Sequence, residues 1–137
     1  MNDFNEIREK FFSFLLKKPC TFKQADEYLS RCKISDEQKN FLLNEAENMG
    51  LIDDLTFAKL FVDGHLSWGN LKIIYELSSR GVARKDIYNA LEEAEDEISR
   101  ACKISENWKR SGLDERKIIN RLLSRGFSQK AAKSVFN

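Results

Sequence analysis

One histidine, three cysteines and one pair of adjacent aspartates are the residues of this chain with types suited to catalysis or metal binding, and their spacing argues against both. His65 stands alone. A zinc site around it would need carboxylates or thiolates brought in from elsewhere in the fold, and a Cys-His nucleophile pair would have to be assembled from distant positions. Cys20, Cys32 and Cys102 are odd in number and far apart, with no Cys-x-x-Cys among them. The expectation is free thiols in a reducing compartment. Asp53-Asp54 precedes Phe57, Ala58, Phe61 and Val62, the pattern of an amphipathic helix. Two carboxylates at a helix start serve as cap and dipole partner before they serve as acid and base. The six glycines are isolated, so no phosphate-cradling loop exists. The chain is therefore expected not to be an enzyme and to carry no cofactor or metal.

The cationic residues are better organised. With Ile118, Ile119, Leu122 and Leu123 marking the buried side of a helix, Lys117, Arg121 and Arg125 fall four apart on one opposing stripe. Equivalent stripes upstream are Lys72, Glu76, Arg80 and Gln24, Tyr28, Cys32, so the charge rises along the chain from 0 through +1 to +3. Lys72, Arg80, Lys117, Arg121 and Arg125, with Arg84, Lys85, Arg116 and Lys130, form the candidate partner-binding set. The formal net charge of +1 hides this asymmetry: residues 102–137 hold nine basic against three acidic side chains, +6, leaving −5 for the rest. A basic end of this kind suits nucleic acid or an acidic protein surface.

The elements that must carry these residues are helices in repeated units. One proline in 137 residues, a charged fraction of 33% and no sustained period-two alternation exclude a sandwich or barrel. Glu76-Leu77-Ser78-Ser79-Arg80-Gly81-Val82 recurs 45 residues later as Arg121-Leu122-Leu123-Ser124-Arg125-Gly126-Phe127. Both copies read as a helix ending, with Arg at the negative end of the dipole and Gly free to turn left-handed. Ile73-Ile74 matches Ile118-Ile119, and Ala90-Leu91 matches Val135-Phe136. A diverged copy aligns Leu29, Ile34 and Leu42-Leu43, with Lys33 in place of the glycine, so that its turn must be built differently or carry strain. Helices are expected over 4–17, from Thr21 to Lys33, and from Ser35 to Met49. They continue after Asp53-Asp54, over 71–80, from Arg84 to about Glu95, to near Gly112, over 114–125, and from Ser128. The fold class is all-α: three three-helix repeats, 1–50, 51–95 and a basic 96–137, in an elongated, curved, right-handed-type array. Trp68 and Trp108 lie at helix ends and read as core or inter-unit packing in preference to base stacking. Glu92 to Glu97 reads as a solvated junction. The N-terminus does not read as a signal peptide and no apolar run reaches membrane-spanning length, so a soluble cytoplasmic protein is expected.

Together these residues resemble the RecX recombination regulators. Leu51-Ile52-Asp53-Asp54, Phe57-Ala58 and Phe61-Val62 are similar to that family's Asp-x-x-Phe/Tyr-Ala-x-x-Phe-Val segment. Gly69, Ile73, Glu76-Leu77 and Arg80-Gly81-Val82 resemble its Gly-x-x-x-Ile-x-x-Glu-Leu-x-x-Lys/Arg-Gly-Ile/Val run, and Leu123 to Ser128 resembles its Leu-x-Arg-Arg-Gly-Phe-Ser ending. The likeness covers essentially the whole chain. It departs at His65, near where the family usually places arginine, and in the chain's shortness. The resemblance implies a non-enzymatic, monomeric module that lies in the groove of the RecA recombinase filament on single-stranded DNA. There it would hinder filament growth, ATP turnover, strand exchange and repressor autocleavage, within DNA repair and the SOS response. Weak direct binding to DNA is a secondary expectation. The alternative readings are a helical nucleic-acid-binding protein, favoured by the basic helices, and an adapter for another protein.

Overall fold

A computed structural model describes residues 3–136. Among them are nine helices and no strand: α1 (Asp3–Lys17), α2 (Phe22–Ser30), α3 (Asp36–Asn48), α4 (Asp54–Asp63), α5 (Asn70–Ser79), α6 (Arg84–Glu93), α7 (Glu97–Arg110), α8 (Glu115–Ser124) and α9 (Gln129–Ser134). Local chemistry sets most of their starts. Thr21 and Ser35 form capping boxes with Gln24 and Gln38, and Asp53, Asp96, Asp114 and Ser128 each accept a backbone N–H at the third helical position. No described helix is long and apolar enough to cross a membrane.

Each helix pair in extensive contact lies within one of the triplets α1–α3, α4–α6 and α7–α9. The buried apolar residues divide in the same way, into clusters around Phe11, Leu29 and Leu42; around Ile73, Leu77 and Ile87; and around Ile118, Leu122 and Phe127. Leu29, Leu77 and Leu122, the anchors of the repeat, are all fully buried. The first cluster takes in Ile52, beyond the expected cut at Gly50. The chain exposes 8777 Å², whereas a compact monomer of this mass would expose about 7,400 Å². That surplus is what a row of small cores exposes.

Two joints connect the triplets, and they share one design. At the second, the C-terminal end of α8 meets the N-terminal end of α5: Gly69 and Leu71 donate their N–H groups to the carbonyls of Arg125 (2.8 Å) and Gly126 (3.0 Å). At the first, the C-terminal end of α5 meets the N-terminal end of α2, and the Thr21 hydroxyl donates to the Arg80 carbonyl at 2.6 Å while accepting from the Gln24 N–H. The middle helices thus stack head to tail, α8 to α5 to α2, with orphan carbonyls of one end meeting donors of the next.

The repeated Ser-Arg-Gly is consequently more than a helix ending. Gly81 (φ +86°) and Gly126 (φ +90°) are left-handed, and a Cβ on either would collide with Lys23 or with Lys72. At the equivalent end of α2 the turn is built differently, as one of the two expected alternatives required. Cys32 donates to Leu29 and Ile34 to Cys32, and no described residue other than glycine has a positive φ, so Lys33 bears no such strain.

The acidic pairs close the joints. Asp53 caps its own helix, whereas Asp54 reaches across the first joint to accept the Phe22 N–H at 2.9 Å. Asp96-Glu97 repeats the arrangement: Asp96 caps α7, and Glu97 crosses the second joint to accept the Asn70 N–H at 2.8 Å while taking the Ser128 hydroxyl at 2.9 Å. The expectation of a solvated junction at Glu92–Glu97 holds at Glu92, Glu93 and Asp96, which are exposed, and is corrected at Glu97, which is half-buried against two helix N-termini. Beside it Arg100, 3% exposed, donates to the carbonyls of Glu95, Leu66 and Trp68 and to the Asn70 side-chain oxygen.

Candidate partner-binding surface

The stacking of α8, α5 and α2 turns three separate stripes into one ridge. Lys117, Arg121 and Arg125 run along α8; Lys72 packs against Gly126 and carries the row onto α5, where Glu76 and Arg80 follow. Arg80 and Gln24 then line one hollow across the first joint, leading to Tyr28 on α2. Five cations and one carboxylate lie on this ridge.

Aromatic rings from the neighbouring helices and their trailing turns floor it. The Lys72 ammonium sits 4.2 Å from the Trp68 ring centroid, and the Arg80 guanidinium 5.0 Å from that of Phe61. The guanidinium groups of Arg121 and Arg125 each lie 5.3 Å from Trp108. His65 is sandwiched between Phe61 (4.1 Å) and Trp68 (4.2 Å), and its Nδ1 is 2.7 Å from the Phe61 carbonyl, which it meets as donor. Tyr28 stacks on Phe14 at 4.4 Å. A cation over a ring face keeps its N–H edge available to an outside acceptor while losing rotamer freedom beforehand, so a partner has less entropy to remove. Of the five, only Arg80 is ion-paired among the described residues, with Glu76 at 2.8 Å.

The stripe is thus present but not free of packing. Arg121 and Lys117 are both exposed on the stripe opposite the core, as expected, but Arg121 also lies over Trp108. Trp68 and Trp108 pack against the second and third cores, as expected of packing residues. The other four candidates are not brought into the row. Arg84 and Lys85 begin α6 and Lys130 lies on α9, helices outside the stack, and Arg116 is turned one position around α8 from Lys117. All four are exposed.

Titration follows the caps and joints. The Thr56 N–H holds Asp53 below the ordinary carboxylate value, and the Ser99 N–H does the same for Asp96. Burial pushes Asp54 up, with the Phe22 N–H opposing and the charges of Asp86 and Asp53 adding to the rise. Burial also raises the Cys20 thiol. Among the described residues no group of three or more His, Cys, Asp and Glu is placed to hold a metal ion, and the three thiols are free.

The roles of Arg100, Glu97 and Gly69 at the second joint are absent from the sequence reading. The signal was there in part: Asp53-Asp54 with Phe57-Ala58 has its counterpart in Asp96-Glu97 with Arg100-Ala101, so a cation occupies an apolar register position.

No family model matches the chain. Among curated proteins, a regulatory protein RecX of Finegoldia magna is 29% identical over 148 residues, covering 98% of this chain and 72% of that protein. One from Lactobacillus delbrueckii subsp. bulgaricus is 31% identical over 133 residues, covering 89% of this chain and 49% of its own length. The crystal structure of RecX from Lactobacillus salivarius superimposes with a TM-score of 0.86 over 98% of this chain and 94% of that one, at 21% identity. The chain is similar to RecX regulatory proteins over nearly its whole length. A second RecX crystal structure gives a TM-score of 0.78 over 97% of the chain and 71% of its own, at 19% identity, so the helical fold is common to RecX proteins whose sequences have diverged widely. The chain spans about half the length of the Lactobacillus delbrueckii relative.

Proposed function

We propose that this chain is a cytoplasmic, non-enzymatic regulator that lies as a monomer along the RecA filament on single-stranded DNA and suppresses its growth, ATP turnover and strand exchange. One observation carries the reading: in a chain similar to RecX regulatory proteins, the stacked helices α8 and α5 present a row of five cations, four of them pre-set on aromatic rings. A row of fixed charges recognises a repeating acidic surface, and a stacked array has the length to reach more than one protomer of a filament. The three triplets act as successive units of that array. The test is the ATPase of the cognate RecA on single-stranded DNA with this chain titrated in, beside its Lys117→Glu, Arg121→Glu double variant. Inhibition by the wild type and its loss by about tenfold or more in the variant are expected. The variant's fold should weaken by only about 1 kcal/mol as Arg121 leaves Trp108. No effect of the wild type at several-fold excess refutes the function, and full inhibition by the variant removes the ridge from it.

The cations and rings of the ridge also match the requirements of a nucleic-acid backbone. Tight, steeply salt-dependent binding to bare single-stranded DNA would favour that reading over filament contact.

A further inference from the structure

The first joint is flanked by an open apolar trough. Two adjoining hollows of about 340 and 320 Å³ run beside it, sharing Lys18, Pro19, Phe57 and Leu60 in their walls. Leu16 of α1 and Leu60 of α4, 71% and 57% exposed, both line the first hollow. Arg80 closes the end that meets the ridge. The one carboxylate in these walls, Asp53, is turned to the Thr56 N–H.

The array supplies its own control. Aligning the caps Asp53 and Asp96 places Arg100 where Phe57 stands and Lys103 where Leu60 stands. At the second joint the place is filled by the buried Arg100, and the outer position is a lysine paired with Glu95 at 2.8 Å. Joining two triplets therefore does not require exposed leucines, and their presence at the first joint has another cause. Paired exposed leucines across a trough, rimmed by cations, have the form of an anchor site.

We propose that this trough binds an acidic peptide segment of a partner protein, seating one large apolar side chain between Leu16 and Leu60 with flanking carboxylates on Lys17 and Lys18, which line the same hollow. Charge complementarity selects this occupant: a basic segment would meet Lys17 and Lys18 with the wrong sign, and a bare polyanion would leave the leucines uncovered. The inference goes beyond the function proposed above, because it fixes the chemistry of the segment and not the identity of the protein that carries it.

The test uses the full chain and a fluorescein-labelled decapeptide with Leu-Phe at its centre and two aspartates on either side. Two control peptides replace Leu-Phe with Ser-Ser, or the aspartates with lysines. Anisotropy should show binding of the first peptide, about tenfold or more weaker binding of both controls, and a comparable loss on Leu60→Lys or Lys18→Glu. Lys133→Glu, on α9 away from the trough, should leave the affinity unchanged. Amide shifts on peptide addition should gather at Leu16, Lys18 and Leu60. Leu60→Lys copies the residue that the second joint already tolerates, and Lys18→Glu lies outside any helix, so both variants should keep the wild-type melting midpoint. Equal binding of the three peptides, undiminished binding by both trough variants, or shifts gathered elsewhere would overturn the proposal. RecA takes no part in this assay, so its failure and that of the filament reading are separately visible.

Discussion

Replacing Gly69 by alanine tests the joint between α8 and α5 with the smallest possible change. Gly69 has an ordinary extended conformation (φ −78°), so alanine meets no backbone penalty there. The difficulty is space: an added Cβ would lie 2.0 Å from the Phe127 nitrogen and 2.2 Å from the Gly126 carbonyl carbon, both backbone atoms that cannot swing aside. Ordinary carbon contacts need about 3.5 Å, so the two helix ends must part by more than 1 Å. The Gly69 and Leu71 hydrogen bonds across the joint, 2.8 and 3.0 Å, would be lost. Two such bonds contribute about 1 kcal/mol each, and residual overpacking adds about 1–3 kcal/mol. A total of about 3–5 kcal/mol lowers the melting midpoint of a protein of this size by roughly 12–20 °C. Gly64 is the control. Its nearest neighbour to an added Cβ is the Leu60 carbonyl oxygen at 3.5 Å, and its φ is −83°, so Gly64→Ala should be neutral or stabilising by up to about 1 kcal/mol. Calorimetric midpoints of the two variants decide it. A Gly69→Ala midpoint that matches that of Gly64→Ala would refute the close approach of α8 and α5.

Arg100→Met should cost about 3–5 kcal/mol, since it strands three carbonyls and the Asn70 oxygen in the second joint; Arg100→Lys should recover only part, lacking the fork, as denaturant titration would show. Thr21→Val leaves the Arg80 carbonyl without its donor and α2 without its cap, for a loss of about 2 kcal/mol in the same titration. Because burial raises Asp54 above its unfolded value, its ionisation opposes folding at neutral pH, a penalty that disappears below the ordinary aspartate range. Asp54→Asn should therefore melt higher than wild type at pH 7 and equally with it near pH 3. Asp53 and Asp96, held low by backbone N–H groups, contribute stability above the ordinary aspartate value and lose it as pH falls through their folded values. Asp96→Asn should accordingly flatten the acid limb of the stability curve.

Helices α1 to α9 were legible because each carries local signals: Thr21 and Ser35 with glutamine three residues on, Asp53 before Phe57-Ala58, and glycine after Arg80 and Arg125. The stripe of Lys117, Arg121 and Arg125 was legible for the same reason, being a property of one helix. What joins the triplets was not. Gly81 read as a turn because its neighbour Lys23 is remote in sequence, and nothing local tells a glycine that turns from one that also admits another helix. Arg100 sits in an apolar register beside Ala101, where periodicity expects a core residue, and only the converging carbonyls of Leu66 and Trp68 explain it. The ring beneath Arg121 was not legible either, because helical periodicity places a side chain on a face without saying that a tryptophan from another helix lies beneath.

The head-to-tail stacking has an evolutionary corollary. The middle triplet offers a donor end at Gly69 and an acceptor end at Arg80, and these are the same two kinds of end that its neighbours offer to it. A tandem duplication of that segment, in frame, would insert between existing neighbours and find both of its ends already complemented. Each added middle helix of 10 residues would lengthen the row by about 15 Å. Reach along a partner can therefore change by whole units, under selection separate from that acting on the cores.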